Sequence, residues 1–184
     1  MKLMIASDIH GSAKYCEKML ERFEKEGASR LALLGDLLYH GPRNDLPEEY
    51  APKRVIALLN GAKDSLFCVR GNCDAEVDQM VLEFPIMADC ALWANGQNVI
   101  YMTHGHHTSP SNPPPMKKGD ILLFGHTHIP QAEARDGVAF MNPGSVSLPK
   151  NGSPRSYIVL EDGLWQWKAL DDGGVFCEYL DKTL

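Results

Sequence analysis

Five of the seven histidines in this chain of 184 residues stand in two short stretches, and this grouping constrains the fold more than any other feature. The first stretch is Thr103-His104-Gly105-His106-His107 and the second is Gly125-His126-Thr127-His128. Imidazole is the commonest metal-ligating side chain, because its neutral form offers a nitrogen lone pair. The two stretches alone would suit a single zinc ion, so the number of ions depends on what the rest of the chain contributes.

Three more polar stretches occur in the first half of the chain, each directly after a predicted buried strand. The strands are predicted over residues 2–7, 30–34 and 65–69, and the stretches are Asp8-Ile9-His10, Gly35-Asp36 and Gly71-Asn72-Cys73-Asp74. Helices predicted over residues 12–26 and 53–60 lie between these strands, and a short helix is predicted over residues 74–82. A β-α-β order favours parallel strands, whose carboxyl ends form one edge of a sheet, so the polar stretches are expected to meet there.

The second half of the chain is dominated by predicted hairpins. Turns at Asn95-Gly96, Asp136-Gly137 and Asp162-Gly163 would join the strand pairs 88–94 with 97–103, 131–135 with 138–141, and 155–161 with 164–170. One further strand, over residues 120–124, ends at the second histidine stretch. This pattern predicts two sheets packed face to face with helices on the outer faces. Because no linker or repeat is present, residues 1–184 are expected to form a single domain.

The composition is that of an ordinary globular protein, with 44% hydrophobic and 23% charged residues. A net charge of −6 argues against stable nucleic-acid binding, which usually requires a basic face. It leaves a phosphate-bearing substrate open, since bound divalent ions reverse the local field. The apolar run at the N-terminus is too short for a signal peptide or a membrane span, so no membrane association and a cytoplasmic location are expected.

Seven residues in the five strand-end stretches carry oxygen or nitrogen donors for metal ions: Asp8, His10, Asp36, Asn72, His104, His126 and His128. This number suits a centre of two divalent ions, in which one carboxylate is shared and positions stay open for water and substrate. A mixture of carboxylate, amide and imidazole favours Mn²⁺, Zn²⁺ or Fe²⁺ over Mg²⁺ and Ca²⁺, which prefer oxygen ligands. The sequence therefore predicts a binuclear hydrolytic centre.

The order D-x-H, G-D, G-N-x-D, G-H, G-H-x-H resembles the motifs of the calcineurin-like metallophosphoesterases. The short chain and the G-N-C-D variant resemble the small bacterial phosphodiesterases of that family. The resemblance extends over about residues 1–147 and includes Asn142-Pro143-Gly144-Ser145. It implies an α/β fold, a four-layer α-β-β-α sandwich of two mixed sheets flanked by helices.

The resemblance also implies a division of the ligands between two ions, with Mn²⁺ preferred and Zn²⁺, Fe²⁺ or Ni²⁺ as alternatives. Asp8, His10 and His128 would hold the first ion, and Asn72, His104 and His126 the second, with Asp36 shared by both. A hydroxide between the ions would attack the phosphorus atom of a small phosphodiester substrate, in line with the leaving oxygen. The chain is thus expected to be a phosphoric diester hydrolase.

Cys73 departs from the motif of many phosphatases in this family, which carry histidine at that position to protonate the leaving group. A thiol with an ordinary pKa of ~8.5 lacks the tuning of imidazole near neutral pH. We therefore expect weak activity on alkyl phosphomonoesters and better activity on diesters with good leaving groups. The catalytic candidates are Asn72, Cys73, Asp74 and His106. Of these, Asp74 is expected to bind a ligand histidine or residue 73, and His106 to line the substrate site; which of Cys73 and His106 moves a proton stays open.

Several other residues have two interpretations. Arg70 could hold a substrate phosphate or pair with a carboxylate, and His40 could contact substrate from the long loop over residues 39–52. Trp165 and Trp167 share one face of a strand, which favours core packing; if they were exposed, they would favour a homo-oligomer.

Three other functions compete with a phosphodiesterase. A scaffold of the same fold with little or no catalysis would bind partner proteins, but it would not need seven convergent ligands. A phosphomonoesterase or protein phosphatase is disfavoured by Cys73 and by the short substrate loops. A nuclease is disfavoured by the acidity of the chain and by the lack of a basic groove with aromatic residues.

Overall fold

The structure is a computed structural model that describes residues 2–95 and 97–181. Its strands are β1 (Leu3–Ala6), β2 (Arg30–Leu33), β3 (Leu66–Cys68), β4 (Cys90–Asn95), β5 (Asn98–Thr103), β6 (Ile121–Leu123), β7 (Pro130–Arg135), β8 (Val138–Pro143), β9 (Ser156–Glu161), β10 (Leu164–Ala169) and β11 (Val175–Leu180). Its helices are α1 (Ala13–Glu26), α2 (Pro52–Gly61) and the single turn α3 (Glu76–Gln79). As predicted, Ser12 caps α1, and α1 ends at Gly27, whose backbone is left-handed.

The strands form two mixed sheets, as predicted, although in the residues that the structure describes helices flank the first sheet and not the second. The first sheet has the order β11-β10-β9-β1-β2-β3, with β1, β2 and β3 parallel and β9 antiparallel to β1. The second has the order β4-β5-β6-β8-β7, with β5, β6 and β8 parallel. The carboxyl ends of β1, β2, β3, β5 and β6 are each followed by one of the polar stretches.

The core has two large layers, one between the first sheet and the helices and one between the two sheets. In β1, Leu3 and Ile5 face the second sheet, whereas Met4 and Ala6 face the helices. Trp165 and Trp167 are fully buried in the layer between the sheets, as expected for core packing. The Trp167 indole N–H donates a hydrogen bond to the carbonyl oxygen of Asn142 (2.7 Å) and so ties β10 to the end of β8. These tryptophans therefore offer no exposed face for an oligomer.

The outer faces of the two sheets are covered differently. Helices α1 and α2 pack on the first sheet. On the second sheet, Leu122, Phe124 and Phe140 pack against Met116 of the proline-rich segment 108–116. Hydrogen bonds hold this segment in place, including one from the Tyr101 hydroxyl to the Pro115 carbonyl oxygen (3.1 Å). The closely spaced prolines of this segment cannot continue a helix. In the described part of the chain, this face is therefore covered by an irregular segment and not by a helix.

Two local features differ from the sequence predictions, and a third is described only in part. Strand β11 was not predicted, since Val175-Phe176-Cys177-Glu178-Tyr179-Leu180 lacks a clear apolar–polar alternation; its pairing with β10 makes it a strand. The helix expected over residues 74–82 is confined to α3. The antiparallel pairing of β4 and β5 agrees with the predicted hairpin, but Gly96 of its turn lies outside the described residues.

Glu26, at the end of α1, joins the helix to the first sheet. Its Oε1 atom accepts hydrogen bonds from the Tyr157 hydroxyl (2.8 Å) and the Lys168 ammonium (2.6 Å). Burial raises the pKa of Glu26, but the hydrogen bonds from Lys168 and Tyr157 outweigh it and hold the pKa below the ordinary value of 4.5. The charged form therefore stabilises the fold above about pH 4.5, and this stability is lost as the pH falls through the folded-state pKa.

We expect Glu26→Gln to lower the free energy of unfolding by about 1–2 kcal/mol at neutral pH. The difference from wild type should shrink below pH 4.5, which urea unfolding at several pH values would measure. Glu21→Gln is the matched control, since Glu21 is exposed and forms a surface ion pair with Lys25 (3.6 Å). Equal effects of the two substitutions at neutral pH would contradict the stabilising role of Glu26.

Candidate metal centre

The polar stretches that follow the strands meet at one edge of the sandwich, where backbone hydrogen bonds tie them together. The N–H of Asp8 donates to the Gly35 carbonyl oxygen (3.1 Å), and that of His10 donates to the Asp36 carbonyl oxygen (2.9 Å). The N–H of Gly125 donates to the His104 carbonyl oxygen (2.7 Å). Within each sheet, neighbouring loops are therefore fixed to one another, and the N–H of Val146 joins the two sheets by donating to the Ser7 carbonyl oxygen (3.0 Å).

Five of the seven predicted ligand residues have left-handed backbone conformations. Their φ angles lie between 50° and 66°, at Asp8, His10, Asp36, His126 and His128. Such angles are uncommon for residues other than glycine, and they are concentrated at functional sites, where the surrounding structure holds the strain. The conformation turns each side chain inward from the end of its strand.

His10 and His128 direct their Nε2 atoms toward each other and toward Asp8. The Nδ1–H of His10 donates to the Tyr39 carbonyl oxygen (2.8 Å), and that of His128 donates to the Leu148 carbonyl oxygen (2.6 Å), so each Nε2 can keep its lone pair. The two Nε2 atoms are 3.2 Å apart, and Asp8 Oδ1 is 3.5 Å from the first and 3.3 Å from the second. Three electron-pair donors this close require a positive charge between them.

Asp36 lies between this cluster and a second one around His104. Its Oδ2 atom is 3.6 Å from His10 Nε2 and 3.4 Å from His104 Nε2. His104 binds a main-chain carbonyl oxygen through Nδ1 (2.7 Å), so its Nε2 also points inward, 3.1 Å from Asn72 Oδ1. Asp36 thus lies within reach of both clusters.

Buried carboxylates control the charge of this edge. Burial raises the pKa of Asp8, but the adjacent imidazole rings of His10 and His128 outweigh burial and hold the pKa well below the ordinary value. Burial lowers the pKa of His104, but its hydrogen bond to Asp36 and the charges of Asp8 and Asp36 outweigh this effect and raise the pKa to about 9. The negative charge therefore has to be balanced by protons or by metal ions, which compete for the same nitrogen atoms.

The other three histidines of the two stretches extend this cluster outward. The His126 ring centroid is 5.1 Å from that of His104, and its backbone N–H donates to Asp8 Oδ2 (3.1 Å). His106 lies 5.3 Å from His104 by ring centroids, and burial together with the neighbouring histidine charges lowers the pKa of His106 to about 4. His107 is exposed and stacks on His106 (4.0 Å between centroids).

Asp74 binds neither a ligand histidine nor residue 73, contrary to the expectation from the sequence. Its buried carboxylate accepts hydrogen bonds from the backbone N–H groups of Asp36 (2.8 Å), Leu37 (2.8 Å) and Gly71 (2.7 Å). It therefore fixes the loop after β2 to the loop after β3. Burial raises the pKa of Asp74, although these hydrogen bonds favour the ionised form. Sequence spacing alone could not show that the chain after β3 turns back and places Asp74 against the backbone of the loop after β2.

Side chains of the stretch Asn142-Pro143-Gly144-Ser145 donate hydrogen bonds to the backbone of the loops that carry the proposed ligands. The Ser145 hydroxyl donates to the Asp8 carbonyl oxygen (2.8 Å), and so does the Ser147 hydroxyl (3.2 Å). The Asn142 amide donates to the Gly125 carbonyl oxygen (2.8 Å). These residues position the ligand-bearing backbone.

Comparison with known proteins agrees with this geometry. Residues 1–162 match the calcineurin-like phosphoesterase superfamily domain. The chain belongs to the calcineurin-like phosphoesterase superfamily. It is 48% identical to phosphodiesterase YfcE of Escherichia coli strain K12 over 178 residues, which cover 97% of each chain. The solved structure of the E. coli phosphoesterase Yfce superposes with a TM-score of 0.96 at 47% identity, covering 99% of this chain and 100% of that one.

The superfamily fold also occurs in more distant proteins. A Vps29 variant from Entamoeba histolytica superposes with a TM-score of 0.62 at 22% identity, covering 98% of this chain and 99% of that one. This likeness concerns the fold alone.

In this member of the superfamily, a cleft of about 380 Å³ opens over the clustered ligands. Several residues of its lining were anticipated from the sequence, among them Asp36, Asn72, Cys73 and His126, and the loop over residues 39–52 contributes Gly41, Pro42, Arg43 and Asn44. Thr127 and Lys150 were not singled out. The long loop over residues 39–52 was a signal for Arg43 and Asn44, whereas nothing in the sequence marked Lys150. Burial, with the charge of Asp36, raises the pKa of Cys73 to about 12, so its thiol is protonated at neutral pH.

Two residues with open interpretations lie outside this cleft. Arg70 is 3.8 Å from Glu76 and donates to the Asp74 carbonyl oxygen (3.3 Å), which favours the structural interpretation. It shares a shallow pocket with His106 on the other side of Asn72. The His40 ring packs between the rings of Tyr39 and Tyr50 (4.7 and 5.3 Å between centroids) rather than in the cleft over the ligands.

Proposed function

We propose that the protein is a metal-dependent phosphodiesterase with two divalent ions, of which Mn²⁺ is preferred. One observation carries the proposal: inward-facing Nε2 and carboxylate oxygen atoms gather at one strand edge beneath an open cleft. Membership in the superfamily and the 48% identity to phosphodiesterase YfcE support a phosphodiester as the substrate.

The residues present fit such ions. Asp8 Oδ1 is buried and has no hydrogen-bond partner among the described residues, as expected for an atom that ligates a cation. Asp8, His10 and His128 would hold one ion; Asn72, His104 and His126 would hold the other; Asp36 would be shared. Bound divalent ions would supply a nucleophile at neutral pH and neutralise charge on the phosphoryl oxygens.

The protein's own side chains would bind and orient the substrate above the ligands. Arg43 and Lys150 line the cleft, and neither forms an ion pair or a side-chain hydrogen bond in the part of the chain that is described. They are thus free to attract an anionic phosphodiester in a protein that is acidic overall. Cys73 borders the same cleft and Asn72 faces it, while the neutral His106 ring lies beyond Asn72 and would act as a hydrogen-bonding group.

Hydrolysis of a chromogenic bis-aryl phosphodiester tests the proposal. The protein is first treated with a chelator and then titrated with Mn²⁺, Zn²⁺, Ni²⁺ and Mg²⁺ separately. We expect turnover that depends on added ion, is greatest with Mn²⁺, and saturates near two ions per chain. No turnover with any of these ions would reject the proposal and favour the non-catalytic scaffold.

The proposed division of ligands predicts the effect of His128→Ala. We expect the variant to retain about one Mn²⁺ per chain and to lose activity by roughly 10²-fold or more, because only the first ion depends on His128. Metal analysis after gel filtration measures the number of ions. His107→Ala is the control, since His107 is exposed and outside both clusters. Full occupancy by two ions in His128→Ala would refute the division.

Cys73→His tests the role of position 73. A histidine there would supply a proton donor tuned near neutral pH, so the ratio of kcat/KM on an alkyl monoester to that on a diester should rise at least tenfold. Cys73→Ser separates the effect of imidazole from that of losing the thiol and should not raise the ratio. If Cys73→His leaves the ratio unchanged, position 73 does not set the preference for diesters.

The partners and location follow the sequence predictions. A small phosphodiester is proposed as the substrate, and stable nucleic-acid binding is not. None of the helices in residues 2–95 and 97–181 is both long and apolar enough to span a membrane. The cytoplasmic location and a homo-oligomeric state stay predictions.

A further inference from the structure

A second groove, of about 410 Å³, lies beside the cleft over the metal ligands, and the two share one residue, Cys73. The lining of the second groove is largely apolar: Leu38, Tyr39, Tyr50, Pro52, Ile56, Ala75, Val77 and Val81. The Asp78 carboxylate also lines it, but it already accepts a hydrogen bond from the Ala75 N–H (2.9 Å). The groove therefore offers apolar contact rather than charge.

Several large apolar side chains in and beside the groove are exposed to solvent. Tyr39 is 42% exposed, Val77 63% and Val81 43%, and Met80, which lies between the two valines in sequence, is 84% exposed. Burying apolar surface is favourable, so a cluster of such side chains marks a surface that binds something apolar. What it binds depends on what can reach it.

The groove is rigidly connected to the metal centre. Tyr39 forms part of its wall, and the carbonyl oxygen of Tyr39 accepts the hydrogen bond from His10 Nδ1 (2.8 Å). On the other side, a Cβ atom at Gly41 would lie 3.0 Å from Cys73 Sγ, so these two residues meet at the border between groove and cleft. Because Cys73 lines both the cleft and the groove, a ligand whose phosphate lies over the metal ligands would reach the groove by extending over the Cys73 side chain.

We propose that this groove binds an apolar ester arm of the phosphodiester substrate. A phosphodiester carries two organic arms, and the cleft presents two different surroundings to them. Arg43 and Lys150 make one part of the cleft cationic, whereas the part beyond Cys73 is apolar. The substrate is accordingly a diester with at least one hydrocarbon-rich arm. This inference rests on the proposed function, because it places the phosphate at the metal centre.

Two series of compounds test the inference. The first consists of methyl, butyl and hexyl p-nitrophenyl phosphate, for which kcat/KM is measured with the Mn²⁺-loaded protein. The second consists of methyl and hexyl phosphate, whose binding is measured by calorimetry and needs no turnover. Because each buried methylene group contributes about 0.8 kcal/mol, partial burial of the hexyl arm should favour it over methyl by roughly tenfold or more in both series.

The double substitution Val77→Ser and Val81→Ser should bring the hexyl-to-methyl ratio close to one. Both valines are well exposed, so the fold does not depend on them. Leu92→Ser is the matched control, since Leu92 is 61% exposed on the edge strand β4 and outside the groove; its ratio should equal that of wild type.

The outcomes separate the inference from the function on which it rests. If no diester is hydrolysed, the proposed function fails, and the calorimetric ratio still decides whether the groove takes an apolar arm. If diesters are hydrolysed but neither ratio exceeds about two, or if the double variant keeps the wild-type ratio, the inference is overturned. Self-association in wild type that the double variant abolishes, without a hexyl preference, would assign the groove to a second copy of the chain and also overturn it.

Discussion

Asp36→Asn should lower kcat on a phosphodiester by about 10²–10³-fold at saturating Mn²⁺. Its Oδ2 atom lies between His10 Nε2 and His104 Nε2, at 3.6 and 3.4 Å, and is positioned for both proposed ions. Asparagine keeps the size of the side chain but removes the charge. We therefore expect weaker binding of both ions, measured by Mn²⁺ titration of activity and by metal content after gel filtration.

Asp45→Asn provides the matched control, since Asp45 is an exposed acidic residue in the loop after Asp36. It should retain wild-type Mn²⁺ affinity and turnover, and circular dichroism should show that both variants are folded. Wild-type Mn²⁺ affinity in Asp36→Asn would contradict the shared role of this carboxylate, and the binuclear arrangement would then need another bridging group.

Gly71→Ala should damage both stability and metal binding. Gly71 lies against Asp36 so closely that a Cβ atom would overlap the Asp36 carboxylate and its backbone nitrogen. The Gly71 N–H also donates to Asp74 Oδ2 (2.7 Å), so the backbone cannot move away without breaking that bond. We expect the free energy of unfolding to fall by about 1–3 kcal/mol in urea titrations, with turnover reduced by at least 10²-fold.

Gly61→Ala distinguishes this effect from the general consequence of replacing glycine. Gly61 ends α2, and a Cβ atom there would have no neighbour within 4 Å. Alanine at this position should be neutral or raise the free energy of unfolding by up to about 1 kcal/mol. If Gly71→Ala were as stable and active as Gly61→Ala, the close packing between the two loops would not be required.

The sequence was most informative where a strand end and a metal-ligating residue type coincide. The positions of Asp8, Asp36 and His104 at strand ends were predictable, because buried strands are recognisable and parallel strands place their carboxyl ends together. Their assignment to two ions came from the resemblance to the superfamily rather than from spacing, and it is still a proposal. The two mixed sheets followed from the β-α-β order and the hairpin turns.

Features that depend on packing between distant segments were not predictable. The Asp74 carboxylate accepts a hydrogen bond from the backbone N–H of Leu37, which lies 37 residues earlier in the chain. Lys150 reaches the cleft because its backbone N–H is bound to the His128 carbonyl oxygen (3.2 Å), a contact with no sequence signature. The layer formed by residues 108–116 likewise depends on tertiary hydrogen bonds, since composition alone only excludes a helix there.

The left-handed backbone at five of the proposed ligands has a consequence for how ions enter and leave. Each such residue costs on the order of 1 kcal/mol or more, and hydrogen bonds within the protein, such as those from Asp8 to Gly35 and from His10 to Asp36, hold the loops in this form. Backbone hydrogen bonds, and not the ions alone, therefore hold the proposed ligand residues in place. One divalent metal could then replace another with little change in the loops, and cellular supply would choose among ions that fit.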